Sequence, residues 1–154
     1  MKQKDSAILI RPAQQRDLDH LVSLLEKLFS IEEDFVFNES LQRRGLQIML
    51  ENELGCVLVA EAEGEVIGMC SGQLTVSTAE GGPALLVEDV VVHEDYRKRG
   101  TGRRLMSWIS EWGKAKGVSR FQLLADRNNT PALEFYKRLG WNTTELICLR
   151  KNEL

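Results

Sequence analysis

Arg97, Lys98, Arg99, Arg103 and Arg104 crowd around Gly100 and Gly102, immediately after a strand-like run that carries the adjacent carboxylates Glu88 and Asp89. Glycines let a backbone approach a ligand closely, and a helix start offers unpaired N–H groups and the positive end of the dipole. Set among that many cations, such a loop suits a ligand with several phosphate charges. Carboxylates next to it supply candidate bases. On a regular strand neighbouring side chains point to opposite faces, so only one of Glu88 and Asp89 can face a cleft unless a bulge intervenes.

The elements that must position these groups follow from local patterning. Val87 and Val90 to Val92 are β-branched and predict a strand over residues 84–92, ending near His93. Leu105, Met106, Ile109 and Trp112 fall at helical spacing, predicting a helix that begins soon after Gly102 and ends near Gly117. The basic loop lacks the Gly-Lys-Ser/Thr ending of a P-loop and the three-glycine spacing of a dinucleotide fold.

The order Arg97-x-x-Gly100-x-Gly102 after a valine-rich strand resembles the acyl-CoA pyrophosphate loop of the GNAT superfamily of N-acyltransferases. A second stretch, Asn129-x-x-Ala132-x-x-x-Tyr136-x-x-x-Gly140-Trp141, resembles the other conserved motif of that superfamily in order and separation. Two departures stand out: His93 occupies a position where many relatives have proline, and Lys98 replaces a frequent glycine.

The remaining chain is compatible with that resemblance. Residues 6–11 alternate as a first strand that Pro12 should end. Leu18, Leu21, Val22, Leu25, Leu28 and Phe29 form one apolar helical stripe. The acidic segment from Ile31 to Glu39 reads as a solvated loop or an acidic rim. Asn38 caps a second predicted helix in which Leu41, Gly45, Ile48 and Met49 share a face. Strands over 56–62 and 66–76 are joined by Glu63-Gly64-Glu65, and 120–125 is a further short strand. Asn129 or Thr130 caps a last helix with Pro131 in its first turn, and 143–150 is expected as an edge strand.

The resemblance implies one GNAT domain over residues 1–154. Its fold class is α+β (α/β): a single central mixed, mostly antiparallel sheet of about six to seven strands with helices on both faces. It implies an acetyl-CoA-dependent N-acetyltransferase acting by direct attack in a ternary complex. Cofactor contacts would come from Val90, Val91, Val92, Arg97, Lys98, Arg99, Gly100, Thr101, Gly102, Arg103, Asn129 and Ala132. Glu88 would assist amine deprotonation and Tyr136 would protonate the departing thiolate. Similarity to diamine and polyamine acetyltransferases at the N-terminal Ile-Arg-Pro-Ala, Glu32 and Glu88-Asp89 implies a small amine substrate, with Glu32 and Asp89 binding it. Protein amines, amino sugars and a non-catalytic acyl-CoA sensor are the alternatives.

Composition narrows the field. Net charge is −3 while the cations concentrate in one loop, unlike a nucleic-acid protein that spreads them across a face, so no nucleic-acid partner is expected. Cys56, Cys70 and Cys148 lie in predicted strands without metal-like spacing and read as reduced core thiols, and no metal site is expected. The apolar stretch 7–10 is too short for a signal peptide and nothing could span a membrane, so a cytoplasmic location is expected. A homodimer, as in many relatives, could form through the 143–150 edge.

Overall fold

The computed structural model describes residues 7–32 and 34–153; the expected strand start at Ser6 and the acidic Glu33 lie outside them. The chain separates into two compact units, one up to Leu123 and one from Leu124 onward.

The first unit holds β1 (Ile8–Pro12), α1 (Leu18–Ile31), α2 (Glu39–Glu51), β2 (Gly55–Ala62), β3 (Glu65–Ser77), β4 (Gly82–Val92), α3 (Thr101–Ala115) and β5 (Arg120–Leu123). Its strands form a 5-stranded sheet in the order β1-β2-β3-β4-β5. Pairing is antiparallel except between β4 and β5, which run parallel across the α3 crossover. The sheet is therefore mixed and mostly antiparallel, with fewer strands than expected. Pro12 is the last residue of β1, opposite Leu58, instead of lying beyond it. It can close an edge strand there because it is required to donate nothing.

Helices cover both faces, which explains why β2 and β3 are near-continuous apolar runs instead of alternating ones. On one face Val57, Val59, Met69 and Val91 pack under Leu21, Val22, Leu24, Leu25 and Leu28 of α1 and Leu46 of α2. On the other lies α3, with Leu105 and Ile109 fully buried. Small residues allow that approach: a Cβ on Gly113 would lie 2.8 Å from Phe121 and 3.1 Å from Leu85, and one on Gly72 would lie 3.1 Å from Ile109.

The buried face of α2 differs from the expected one. Leu46 is buried with Met49 and Leu50 packed beside it, whereas Leu41 and Ile48 are 52% and 59% exposed. Gly45, at the centre of the expected stripe, brings no side chain to bury, so the 46/49/50 stripe wins.

A charged knot ties β1 to the start of α1. Arg11 holds Asp17 through both guanidinium ends, at 2.8 and 2.9 Å, and reaches Glu61 at 3.2 Å, while the Gln14 N–H donates to Asp17 at 2.7 Å. The Arg11 guanidinium holds the Asp17 carboxyl below its ordinary range. A depressed folded pKa means that this stabilisation is complete above the unfolded carboxylate's value, about 3.9, and is lost as pH falls through the lower folded value. Asp17→Asn should therefore cost roughly 3 kcal/mol in urea titrations at pH 7, with the gap to wild type narrowing as the pH falls below the unfolded carboxylate's value of about 3.9. An unchanged gap over that range would contradict this assignment.

The second unit contains α4 (Thr130–Arg138), with Pro131 at its start and Gly140 just past its end at φ 91°. The expected strand at 143–150 is not formed: the segment pairs with no strand among the described residues, and Leu146, Ile147 and Leu149 are 74–87% exposed. A strand exists only through its ladder, so residue type alone cannot make one. Cys148 accordingly is exposed and outside any strand, unlike the buried Cys56 and Cys70. No described helix is long and apolar enough to cross a membrane.

Candidate functional site

The carboxylates sit on a β-bulge. Ser71 of β3 pairs with Glu88 and Met69 with Val91, so β4 spends one more residue than β3 between these partners. Asp89 occupies the irregular position with φ 54°, a left-handed conformation costing a non-glycine residue about 1 kcal/mol or more. The extra residue inverts the facing of the strand. Leu85, before it, meets α3, whereas Val91, after it at the same parity, packs under α1.

The bulge also brings both carboxylates together. Cross-strand partners share a face, so Glu88 lies on the Ser71 side of the sheet. Asp89 lies there too, because its Oδ2 is 3.1 Å from the Ser71 hydroxyl, which also approaches the Glu88 carbonyl at 3.2 Å. The one-face-each rule for a regular strand fails here for that reason. Partial desolvation, although Glu88 is exposed as a whole residue, and then the negative charge of Asp89 raise its proton affinity. Burial raises that of Asp89 as well, partly opposed by the Ser71 hydrogen bond. Carboxyls so perturbed are suited to proton transfer nearer neutrality.

Beside them part of the β4 edge pairs with no strand among the described residues. β5 pairs only with Ala84 to Val87, leaving Glu88 to Val92 beyond its end. His93 donates to Ile67 of β3 at 2.7 Å, and antiparallel alternation then turns Val91 to β3 and Val90 and Val92 to the opposite edge. The Val92 carbonyl, accepting from Arg97 Nε at 3.0 Å, faces that way. Of the expected Val90–Val92 donors, the N–H groups of Val90 and Val92 are the outward ones.

Past β4, Glu94 to Tyr96 form one tight turn whose start is capped by His93 Nδ1, accepting from the Asp95 N–H at 3.2 Å. Lys98 at φ 61° and Gly100 at φ 78° then lead into α3. The positive φ explains why glycine would suit position 98, and Lys98 keeps the same turn at some cost in strain. At His93, proline would forfeit the bond to Ile67. Among the described residues, no acceptor faces the N–H groups of Lys98, Arg99, Gly100, Thr101, Gly102 or Arg103. A Cβ on Gly100 would meet nothing within 4 Å, so the cradle is open.

These donors fit a pyrophosphate. The side chains divide their work: Arg97 fastens the loop to β4, Arg99 lies 5.3 Å over the Tyr96 ring, and Arg104 donates to the Ile8 carbonyl of β1. Thr101 is buried with its hydroxyl unpartnered among the described residues. Neither buried cysteine is an activated nucleophile, since burial pushes the Cys56 thiol up to about 11 and raises Cys70 as well.

In the second unit Asn129 Oδ1 accepts from the Ala132 N–H at 3.2 Å, so this asparagine does cap α4. Tyr136 stacks edge-on with Phe135 at 5.2 Å and Trp141 at 6.2 Å. Glu32 closes the C-terminal end of α1. Ser71 escaped the sequence reading, and Arg104, expected among the cations around the loop, is instead spent on the Ile8 carbonyl. The only signal for Ser71 was a hydroxyl at the centre of an apolar run, between Cys70 and Gly72.

Comparison with known proteins adds an independent line. The model of the acetyltransferase (GNAT) family matches residues 19–141. The chain is 25% identical over 140 residues to an uncharacterized N-acetyltransferase of Methanocaldococcus jannaschii, covering 90% of this chain and 62% of that longer relative. It is 28% identical over 146 residues to the thialysine N-epsilon-acetyltransferase of Sus scrofa, covering 88% and 84% of the two chains. An aminoglycoside N-acetyltransferase, AAC(6')-Iy, solved with CoA superposes with a TM-score of 0.85 at 20% identity over 100% of both chains, which speaks to the fold.

Proposed function

Because the chain belongs to the acetyltransferase (GNAT) family, we propose that it transfers an acetyl group from acetyl-CoA to a primary amine of a small molecule, by direct attack in a ternary complex. The observation that carries this reading is the β4 bulge, which sets Glu88 and Asp89 on one face beside the outward N–H groups of Val90 and Val92. The family match runs from the first unit into the second, in support of one catalytic domain.

Each step makes a physical demand. A lysine-like ammonium has a pKa of about 10.4, so at pH 7 roughly one molecule in a few thousand is neutral, a barrier of about 4–5 kcal/mol. Glu88, raised in proton affinity and the more exposed of the pair, takes that proton directly or through water. Asp89 offsets the positive charge of the incoming amine. The nitrogen then bonds to the thioester carbon, and outward β4 N–H groups stabilise the developing oxyanion. The C–S bond breaks, Tyr136 gives the thiolate its proton, and the surplus proton left on the amide nitrogen returns through water to the tyrosinate.

The N–H groups of the Lys98–Arg103 loop, with Arg99 and Arg103 near them, hold the pyrophosphate. Asn129 and Ala132 line the path of the pantetheine arm in this reading. Glu32 binds a second ammonium of a diamine, and the relatives named for thialysine and aminoglycoside acetylation support an acceptor with more than one polar group. The exposed Leu146, Ile147 and Leu149 favour a homodimer in which this segment meets a second copy. A cytoplasmic location accords with reduced thiols.

The test is thiol release from saturating acetyl-CoA across polyamines, amino acids, amino sugars and peptides. Polyamines and related small amines should drive release well above buffer. Release with peptides alone would move the acceptor to protein amines. Calorimetric CoA binding without release for any amine would favour an acyl-CoA sensor over an enzyme.

A further inference from the structure

We propose that Ser71 is a positioning residue of this site: its hydroxyl, between Asp89 Oδ2 and the Glu88 carbonyl, locks the β4 bulge so that both carboxylates face the acceptor amine. The catalytic meaning of this inference rests on the acetyl-transfer reading, but the geometry does not.

Ser71 is 3% exposed in the middle of β3, among the apolar residues Ile67, Met69 and Cys70. A hydroxyl is costly there unless it is hydrogen-bonded, and its partners both lie on the bulge, at 3.1 Å and 3.2 Å. Asp89 meanwhile holds a left-handed backbone at φ 54°, which non-glycine residues adopt uncommonly and at a cost in strain. A side-chain bond from the neighbouring strand is the restraint the structure supplies. If Asp89 turned away, β4 could regain regular pairing and Val90 to Val92 would lose the facing that turns the outer pair of N–H groups to the edge that pairs with no strand among the described residues.

The hydroxyl has an electrostatic consequence as well. By donating to Asp89 it favours the ionised carboxylate, and an ionised Asp89 beside Glu88 makes Glu88 the better base. Among the described residues of the first unit, the elements packed there are mostly apolar. β3 adds the Cys70 thiol, neutral at physiological pH. α1 packs through Leu21, Val22, Leu25 and Leu28, and α3 through Leu105 and Ile109. The influences on Glu88 are its own desolvation and Asp89, and those on Asp89 are desolvation and Ser71.

The test compares wild type with Ser71→Ala, following side-chain carboxyl carbons by NMR through a pH titration, with Asp89→Asn identifying the Asp89 signal. Losing the donor should move the Asp89 midpoint up by roughly one pH unit. The last proton of the carboxyl pair then leaves at higher pH, so the acid limb of kcat/KM for acetyl transfer shifts in the same direction. CoA affinity should stay within twofold. Ser71→Cys keeps the size while weakening the donor, and gives the same direction should the alanine variant fail to fold. An unmoved Asp89 midpoint overturns the inference, and so does lower activity with an unmoved acid limb, the result expected of a merely structural serine. A wild type that transfers no acetyl group would instead refute the proposed reaction, while the NMR titration would still decide whether Ser71 governs Asp89.

Discussion

Replacing Glu88 with glutamine lowers kcat for acetyl transfer by about 10²–10⁴-fold, with CoA affinity unchanged. Glutamine matches glutamate in shape but cannot accept the ammonium proton at any useful pH. Little else should change, because Glu88 is exposed as a residue and its contact with Ser71 is made by its backbone carbonyl. The backbone of the bulge survives the substitution. In wild type the rate should rise with pH through the raised Glu88 titration, since only the ionised carboxylate is a base. In the variant that acid limb is lost, and residual turnover climbs with pH as free amine accumulates. Stopped-flow thiol release from pH 5 to 9, beside calorimetry with CoA, reads both quantities. Turnover within threefold of wild type would remove Glu88 from the chemistry and leave Asp89, already held by Ser71, as the base.

The Tyr136→Phe variant should lose about 10²-fold or more in kcat near neutral pH while binding CoA as wild type does. A CoA-like thiol has a pKa of about 8.5, so the thiolate leaves as a moderately strong base and gains from a proton delivered as the C–S bond breaks. The competing role for Tyr136 is packing: its ring sits edge-on between Phe135 and Trp141. Phenylalanine preserves that ring, so the substitution separates the alternatives. A packing residue would leave turnover intact across pH, whereas an acid would not. Thermal unfolding midpoints of the two proteins should agree within a few degrees, confirming that the loss belongs to the hydroxyl.

Much of this site was legible because it is local. A helix is specified by contacts three and four residues apart, so the stripes of α1 and α3, the Asn129 cap and the Gly140 stop are all readable along the chain. The basic loop is equally local: glycines next to cations at a helix start announce an anion site without reference to any other segment. With the second motif around Tyr136, that was enough to identify the family, the fold class and the acyl-CoA chemistry.

What only the tertiary structure decided depends on residues distant in sequence. Whether Glu88 and Asp89 oppose or share a face turns on the register between β3 and β4, and one extra residue reverses the answer. Ser71 acquires a role only once it is placed opposite Glu88. The left-handed turn at Lys98, the diversion of Arg104 to the Ile8 carbonyl and the choice of Leu46 over Leu41 on α2 likewise answer to neighbours, not to residue type. The strand expected at 143–150 has the composition of a strand but no ladder within the described chain. Composition and period follow from side chains in sequence; facing, register and pairing follow from hydrogen bonds made across the sheet, and those exist only in three dimensions.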